Sequence, residues 1–140
     1  MKIDDINRFK GDIKSAFQSW GEAKINELFP NSAMGRTFAK NGLNNILNKF
    51  DSKLNDGIES LFMFVAKDGV VDTDTMVDGM AQLFKEIKPS EYNISGFHLT
   101  VGNGELAVEL PKNILFDMLV GVGKIRFTSD DIVEFKNLLN

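Results

Sequence analysis

His98 is the one histidine of the chain and the first residue whose type could support acid–base chemistry. It lies in the alternating segment 97–101, and the next alternating segment carries Glu105 and Glu109. A histidine flanked by carboxylates can act as a general base or contribute to a weak metal site. On a solvated sheet face, the same residues form a cross-strand charge pair, which contributes only about 0.2–1 kcal/mol. Because no nucleophile or third ligand has a compelling spacing, we expect the charge pair, with no cofactor and no metal.

A second group of chemically interesting residues is acidic. It consists of Asp68, Asp72, Asp74 and Asp78. A calcium loop of the EF-hand type needs acids at its first and third positions, glycine at the sixth and glutamate at the twelfth. With Gly69 at the sixth position, the other three hold phenylalanine, alanine and threonine, so the pattern fails. Helix capping and solvation explain these aspartates, and an irregular cation site is the alternative.

Residues 64–75, within this acidic region, resemble the helix–Asp-Gly–helix turn of the TerB-like tellurite-resistance family. The resemblance is local and contributes no distinctive set of ligands. The alternating segments that follow depart from that all-helical fold, so no function is inferred from the resemblance.

Basic residues at the start of the predicted long helix could attract nucleic acid or an acidic partner. They are Arg36, Lys40, Lys49 and Lys53, opposed by Asp51 alone. Arg36 and Lys40 flank one edge of the apolar stripe, whereas Lys49 and Lys53 flank the other, so they form no single row that could follow a groove. We expect their aliphatic stems to cover apolar surface, and nucleic-acid binding is the weaker interpretation.

Composition excludes several function classes. The 140 residues have a net charge of −4, which opposes nonspecific attraction to nucleic acid or anionic membranes. The absence of cysteine excludes disulfides, thiolate metal sites and cysteine nucleophiles. Neither a signal peptide nor an apolar run of about twenty residues is present, so we expect no membrane insertion and a cytoplasmic location.

The elements that would position these residues fall into a helical half and an alternating half. Apolar residues recur at helical spacing up to Ile87 and alternate after Pro89, which places an element boundary at residues 88–91. The first helical seam ends before Pro30. It comprises Ile6, Phe9, Ile13, Ala16, Trp20 and Ala23.

A longer apolar stripe predicts one helix over residues 36–66. Its residues are Ala39, Leu43, Ile46, Leu47, Phe50, Leu54, Ile58, Leu61 and Val65. Several of them repeat every eleven positions, which keeps a stripe aligned along a nearly straight helix. The alternative is a break at Gly57 followed by a buried strand over residues 61–65. Gly69 can end the helix, and Asp72 or Thr73 can cap the next one, which together predict an αα-hairpin.

In the second half, Asn103-Gly104 predicts a type I′ hairpin turn. This turn pairs Val101 with Leu106, Leu99 with Val108, and Phe97 with Leu110 on one side, and His98 with Glu109 and Thr100 with Ala107 on the other. Residues 114–120 predict a short buried helix, and residues 124–127 predict a third strand. Thr128 or Ser129 can cap a final helix.

These patterns predict an α+β fold in one domain, with a helical layer over residues 1–88 and the hairpin, strand and short helices over residues 90–140. Two extended apolar stripes exceed what a sheet of two or three strands is expected to cover, and uncovered apolar surface marks an interface. We therefore expect a non-enzymatic protein-interaction or assembly module, oligomeric or part of a larger assembly such as a phage-like particle.

The candidate interface residues are Leu43, Leu47, Phe50, Leu54, Ile58, Leu61, Phe9, Ile13 and Trp20. The alternative function is a small enzyme or ligand-binding domain that uses the face of His98, Thr100, Glu105 and Glu109. Nucleic-acid binding through the basic helix is a third hypothesis.

Overall fold

The computed structural model describes residues 1–111 and 124–139. A short 3-10 turn at Ile3–Asp5 leads into the helices α1 (Ile6–Leu28), α2 (Ala33–Val65) and α3 (Thr73–Glu86). The strands β1 (Ser90–Ile94), β2 (Phe97–Gly102), β3 (Glu105–Glu109) and β4 (Lys124–Thr128) follow, and then the short helices α4 (Ser129–Glu134) and α5 (Lys136–Leu139). The expected α+β fold, with long helices in the first half and a small antiparallel sheet in the second, is confirmed.

Helix α2 is continuous through its whole apolar stripe. Ser32 caps its start, because its hydroxyl oxygen accepts a hydrogen bond from the backbone N–H of Gly35 at 3.0 Å. The helix passes Gly57 without a break and continues to Val65, so the helical interpretation of residues 61–65 is confirmed and the strand alternative is wrong.

The turn between α2 and α3 uses the residues that the sequence indicates. Asp68 and Gly69 both adopt positive φ, at 54° and 76°, which reverses the chain after α2. Asp72 then caps α3, because its carboxylate accepts the N–H of Thr75 at 2.7 Å. The predicted αα-hairpin is therefore confirmed, with Asp72 and not Thr73 as the cap.

The sheet is a four-stranded antiparallel meander in the order β1-β2-β3-β4. The turn at Asn103-Gly104 has positive φ at both residues, as a type I′ turn requires. The register pairs Leu99 with Val108 and His98 with Glu109, as predicted. Strand β4 pairs with β3 and supplies the expected third strand.

The expectation of only two or three strands is wrong, because β1 adds a fourth strand on the other side of β2. Ile94 pairs with Phe97 across a two-residue loop at Ser95-Gly96, where φ is again positive at both residues. Ser95-Gly96 is a weaker turn signal than Asn-Gly, and only Tyr92 and Ile94 alternate with polar neighbours in β1. Because these signals are weak, the element boundary predicted at residues 88–91 overlaps the start of β1.

The apolar side chains form two cores, and α2 belongs to both. The first core lies between the start of α1, the end of α2, α3 and α4, and includes Phe9, Ile58, Leu61 and Val77. The second lies between the end of α1, the start of α2 and the sheet, and includes Ile25, Leu43, Ile46, Phe97 and Val108. Trp20 packs against both cores.

The expectation that the α2 stripe stays uncovered is wrong. Leu43 is only 7% exposed, and Ile46, Ile58 and Leu61 are also buried. Leu54 and Val65 are partly buried against the first core. The extra strand supplies part of the cover, since the ring of Tyr92 in β1 packs edge-on against Phe50 at 5.2 Å. The helix predicted over residues 114–120 lies outside the described residues.

Candidate interaction surface

The outer face of the sheet holds the residues that the sequence indicates for acid–base chemistry. His98, Thr100, Glu105 and Glu109 all lie there, because they alternate with the inward-facing Phe97, Leu99, Leu106 and Val108. The histidine ring nitrogen Nδ1 is 3.1 Å from the side-chain oxygen of Asn93 in β1. Asn93 was not a predicted partner, since β1 was not predicted.

Glu105 and Glu109 are each paired with a cation from β4. Glu105 contacts Arg126 at 3.2 Å, and Glu109 contacts Lys124 at 3.7 Å. Glu109 also lies opposite His98 in the register. Neighbouring strands thus carry opposite charges, an arrangement that stabilises a sheet without converging on a reacting group. Across residues 1–111 and 124–139, no group of three or more histidine or acidic side chains could hold a metal ion.

The acidic turn is explained by local structure. The backbone N–H of Thr75 donates to the Asp72 carboxylate, and this bond holds the pKa of Asp72 below its ordinary value of 3.8. Asp78 on α3 forms an ion pair with Lys136 on α5, and the hydrogen bond from that ammonium raises the pKa of Lys136. Asp72 therefore caps the start of α3, and Asp78 links α3 to α5.

Two of the four basic residues near the start of α2 have contacts within the chain. The Arg36 guanidinium donates to the carbonyl oxygens of Phe29 at 2.7 Å and Pro30 at 3.2 Å, which satisfies acceptors at the end of α1. The Lys53 ammonium lies 5.8 Å from the centre of the Phe50 ring. Arg36 thus links the end of α1 to the start of α2, whereas Lys53 contacts a residue of its own helix.

Most of the predicted interface residues belong to the two cores. Phe9, Ile13, Leu43, Ile58 and Leu61 are buried within the chain. Leu47, Phe50, Leu54 and Trp20 are partly buried and pack against the same cores. The structure therefore places these nine side chains in contacts within the chain.

Among the described residues, the most exposed large apolar side chains lie at the end of α2. Phe64 is 87% exposed and Met63 is 74% exposed, although both side chains are large and apolar. Val70 in the following turn and Ile3 near the start of the chain are also about half exposed. We call these four residues, Ile3, Met63, Phe64 and Val70, the helix-end surface.

Backbone contacts bring the parts of the helix-end surface to one end of the molecule. Lys2 forms an antiparallel bridge with Val70, and the amino group of Met1 donates to the carbonyl of Val71 at 2.7 Å. Val70 also pairs with Lys67, which closes the turn directly after α2. Lys2, next to Ile3, and Val70 are thereby held close to Lys67, which follows the end of α2.

The helix-end surface was missed because Met63 and Phe64 are out of phase with the stripe. The pair follows the buried Leu61 and Phe62, so the whole run of residues 61–65 resembles one apolar segment. A helix that continues through this run must turn two of its side chains away from the core. The presence of two large apolar residues outside the stripe was therefore the signal from which this surface could have been predicted.

No membrane-spanning candidate occurs among the helices in the described ranges, since none is both long and apolar enough. No family model matches the chain, and searches of curated proteins and of solved structures return no similar protein.

Proposed function

We propose that this chain is a non-enzymatic protein-interaction or assembly module that binds a protein partner through the helix-end surface. The observation that carries the proposal is the exposure of Phe64, at 87%, beside Met63, at 74%, on a well-formed helix. Isolated apolar side chains on a surface are ordinary, but adjacent large ones rimmed by polar residues are typical of binding sites. Phenylalanine and methionine are also enriched at the centres of protein interfaces.

The surroundings of the helix-end surface support a protein partner over a membrane or nucleic acid. Asp56 on α2 and Asp68 in the turn lie near it in the sequence and disfavour anionic phosphate, whereas the nearby Glu59 is paired with Lys10. Lys2 and Lys67 are the neighbouring cations. A mixed polar rim around an apolar centre is the usual composition of a protein–protein interface.

The proposal is tested with Phe64→Ser and a matched control, Met34→Ser, which removes another exposed apolar side chain at the other end of α2. Tagged wild-type and variant chains are used to capture proteins from a lysate of the producing cells, and the purified chains are examined by sedimentation velocity. Both variants should unfold at the wild-type temperature, because surface substitutions usually change stability by less than about 0.5 kcal/mol.

We expect Phe64→Ser to weaken the association, with itself or with a captured protein, by about 30-fold or more, the effect of losing a central aromatic side chain. Met34→Ser should leave it unchanged. Equal behaviour of the wild type and both variants, with no association lost, would contradict the proposal.

A further inference from the structure

The oxidisable sulfur atoms of this chain all belong to methionine. The chain has six methionines and no cysteine. Peroxides convert the methionine thioether into methionine sulfoxide, a polar side chain that disrupts apolar contacts. Because a peroxide must reach the sulfur from the solvent, the exposure of each methionine decides how fast it reacts in the folded chain.

The methionines of the described ranges differ widely in exposure. Met63, in the last turn of α2, is 74% exposed, and Met34, in the first turn of the same helix, is 68% exposed. Met76 on α3 is fully buried in the first core, and Met1 and Met80 are partly buried against it. Hydrogen peroxide can therefore reach the sulfurs of Met63 and Met34 directly, whereas Met76 becomes accessible only when the core opens.

Met63 differs from Met34 because it belongs to the helix-end surface, beside Phe64. Met34 lies at the other end of α2, about 40 Å away along the helix axis. A sulfoxide at Met63 places a polar oxygen in the apolar surface proposed to contact the partner. Burying a polar group without a hydrogen-bond partner is unfavourable, whereas the same group in solvent is hydrated. Oxidation of Met63 should therefore weaken binding without unfolding the free chain.

We propose that Met63 is an oxidation site at which hydrogen peroxide regulates the binding of the protein partner to the helix-end surface. This inference rests on the proposed function and adds a regulation of the same surface. The modified side chain is restored by methionine sulfoxide reductases, each of which acts on one epimer of the sulfoxide. Met63 thereby gives a chain without cysteine a reversible response to peroxide.

The oxidation transfers one oxygen atom to the sulfur. A lone pair of the Met63 sulfur attacks one peroxide oxygen, and the O–O bond breaks as the S–O bond forms. The departing hydroxide takes the proton of the transferred oxygen and leaves as water, so the sulfur loses two electrons and the peroxide gains them. In the reverse direction, two thiols of the reductase form a disulfide, and the sulfoxide oxygen leaves as water.

Peptide mass spectrometry after treatment with hydrogen peroxide measures the reaction at each methionine. In the folded chain, we expect Met63 and Met34 to gain an oxygen at least about tenfold faster than Met76, because opening of the core limits the reaction of the buried sulfur. In urea, where the solvent reaches all three, their rates should become similar. Equal rates at Met63 and Met76 in the folded chain would overturn the proposal.

The effect on binding is measured by treating only the tagged chain with peroxide and removing the peroxide before sedimentation velocity and capture from a lysate. We expect treatment to weaken the Phe64-dependent association of the wild type about tenfold or more. Met63→Leu keeps an apolar side chain of similar volume that peroxide does not oxidise, so it should bind before and after treatment. Met34→Leu is the matched control and should lose binding on treatment as the wild type does.

Two further measurements separate the sulfoxide at Met63 from general damage. Incubation of the treated wild type with methionine sulfoxide reductases for both epimers and dithiothreitol should restore the association. Met63→Gln, which places a polar side chain there permanently, should bind about tenfold more weakly without any peroxide. If treated Met63→Leu loses binding as fully as the treated wild type, the assignment to Met63 is wrong.

The results also separate this inference from the proposed function. If Phe64→Ser removes the association but oxidation of Met63 leaves it unchanged, the proposed function stands and the regulation by peroxide is wrong. If no association depends on Phe64, both proposals fail, whatever the rate at which Met63 is oxidised.

Discussion

Two glycines with opposite surroundings show how much a single residue can decide. A Cβ atom added at Gly42 would lie 2.1 Å from the ring of the buried Phe97, whereas one added at Gly11 would meet nothing within 4 Å. Gly42 therefore lets α2 approach the sheet closely, and Gly11 has no such role. The two positions are matched otherwise, since both lie in helix interiors.

We expect Gly11→Ala to raise the free energy of unfolding by roughly 0.5–1 kcal/mol, because alanine favours the helix. The same change at Gly42 should lower it by about 1–3 kcal/mol, because the added methyl group overpacks the second core. Urea denaturation of the two variants measures both effects. A shift of the same sign at both positions would contradict the described packing.

Asp72 predicts a dependence of stability on pH. Its pKa is lowered by the hydrogen bond from Thr75, so the bond stabilises the folded chain above the ordinary pKa of 3.8. That contribution is lost as the pH falls through the lower pKa of the folded state. Asp72→Ala should therefore unfold at a lower temperature than the wild type near neutral pH, and the difference should shrink below about pH 4. Thermal melts across this range test it, and a constant difference would contradict the assignment.

His98 is expected to be a surface partner whose loss has little effect on folding. Its contact with Asn93 is on the outer sheet face, where a cross-strand pair contributes about 0.2–1 kcal/mol. His98→Ala should lower the free energy of unfolding by no more than that amount in a chemical denaturation experiment. Loss of a ligand-induced rise in melting temperature on the same substitution would instead favour the alternative of a binding site on this face.

At the scale of elements, the sequence predicted those whose local signals were strong. The eleven-residue repeat predicted α2, and Asn103-Gly104 predicted the β2–β3 register and hence the facing of His98 and Glu109. Strand β1 was not predicted, because it is short and half-polar and begins within residues 88–91, which were interpreted as an element boundary. Asn93 and the cover over Phe50 were missed for that reason, since both depend on β1.

Whether an apolar stripe is core or interface could not be predicted from the stripe itself. Periodicity shows that one side of a helix is apolar, but the covering element is chosen by tertiary packing. Leu43 illustrates this, because its cover comes from α1 and the sheet, far from it in sequence. The exposure of Phe64 does follow from the predicted helix over residues 36–66, because that helix continues past Gly57 and turns this side chain away from the stripe.

Leu43→Ala tests the core assignment of the stripe. A buried leucine replaced by alanine leaves a cavity, and we expect a loss of about 2–5 kcal/mol in the free energy of unfolding. Met63→Ala, on the same helix but exposed, should change it by less than about 0.5 kcal/mol. Chemical denaturation of both variants shows whether Leu43 is buried or exposed to solvent, because an exposed leucine would tolerate the change.

At the scale of the whole molecule, the two cores are joined by side chains that belong to both. Trp20 is one of them, and its ring packs edge-on against Phe127 at 4.8 Å. It is also the one tryptophan of the chain, so its fluorescence reports on the junction between the cores. We expect tryptophan fluorescence and far-ultraviolet circular dichroism to give the same unfolding midpoint in urea. Two separated transitions would indicate that the cores unfold independently.

The sharing of α2 between the cores also limits how the chain can be divided. A truncation at the boundary near Pro89 would leave the helices without the sheet that shields Ala39, Leu43 and Ile46. If the first 88 residues were produced alone, the first half of α2 would expose to solvent the apolar side chains that the sheet covers in the intact chain. We expect such a fragment to aggregate through these side chains. Binding measured with it would reflect the newly exposed core and not the surface of the intact chain.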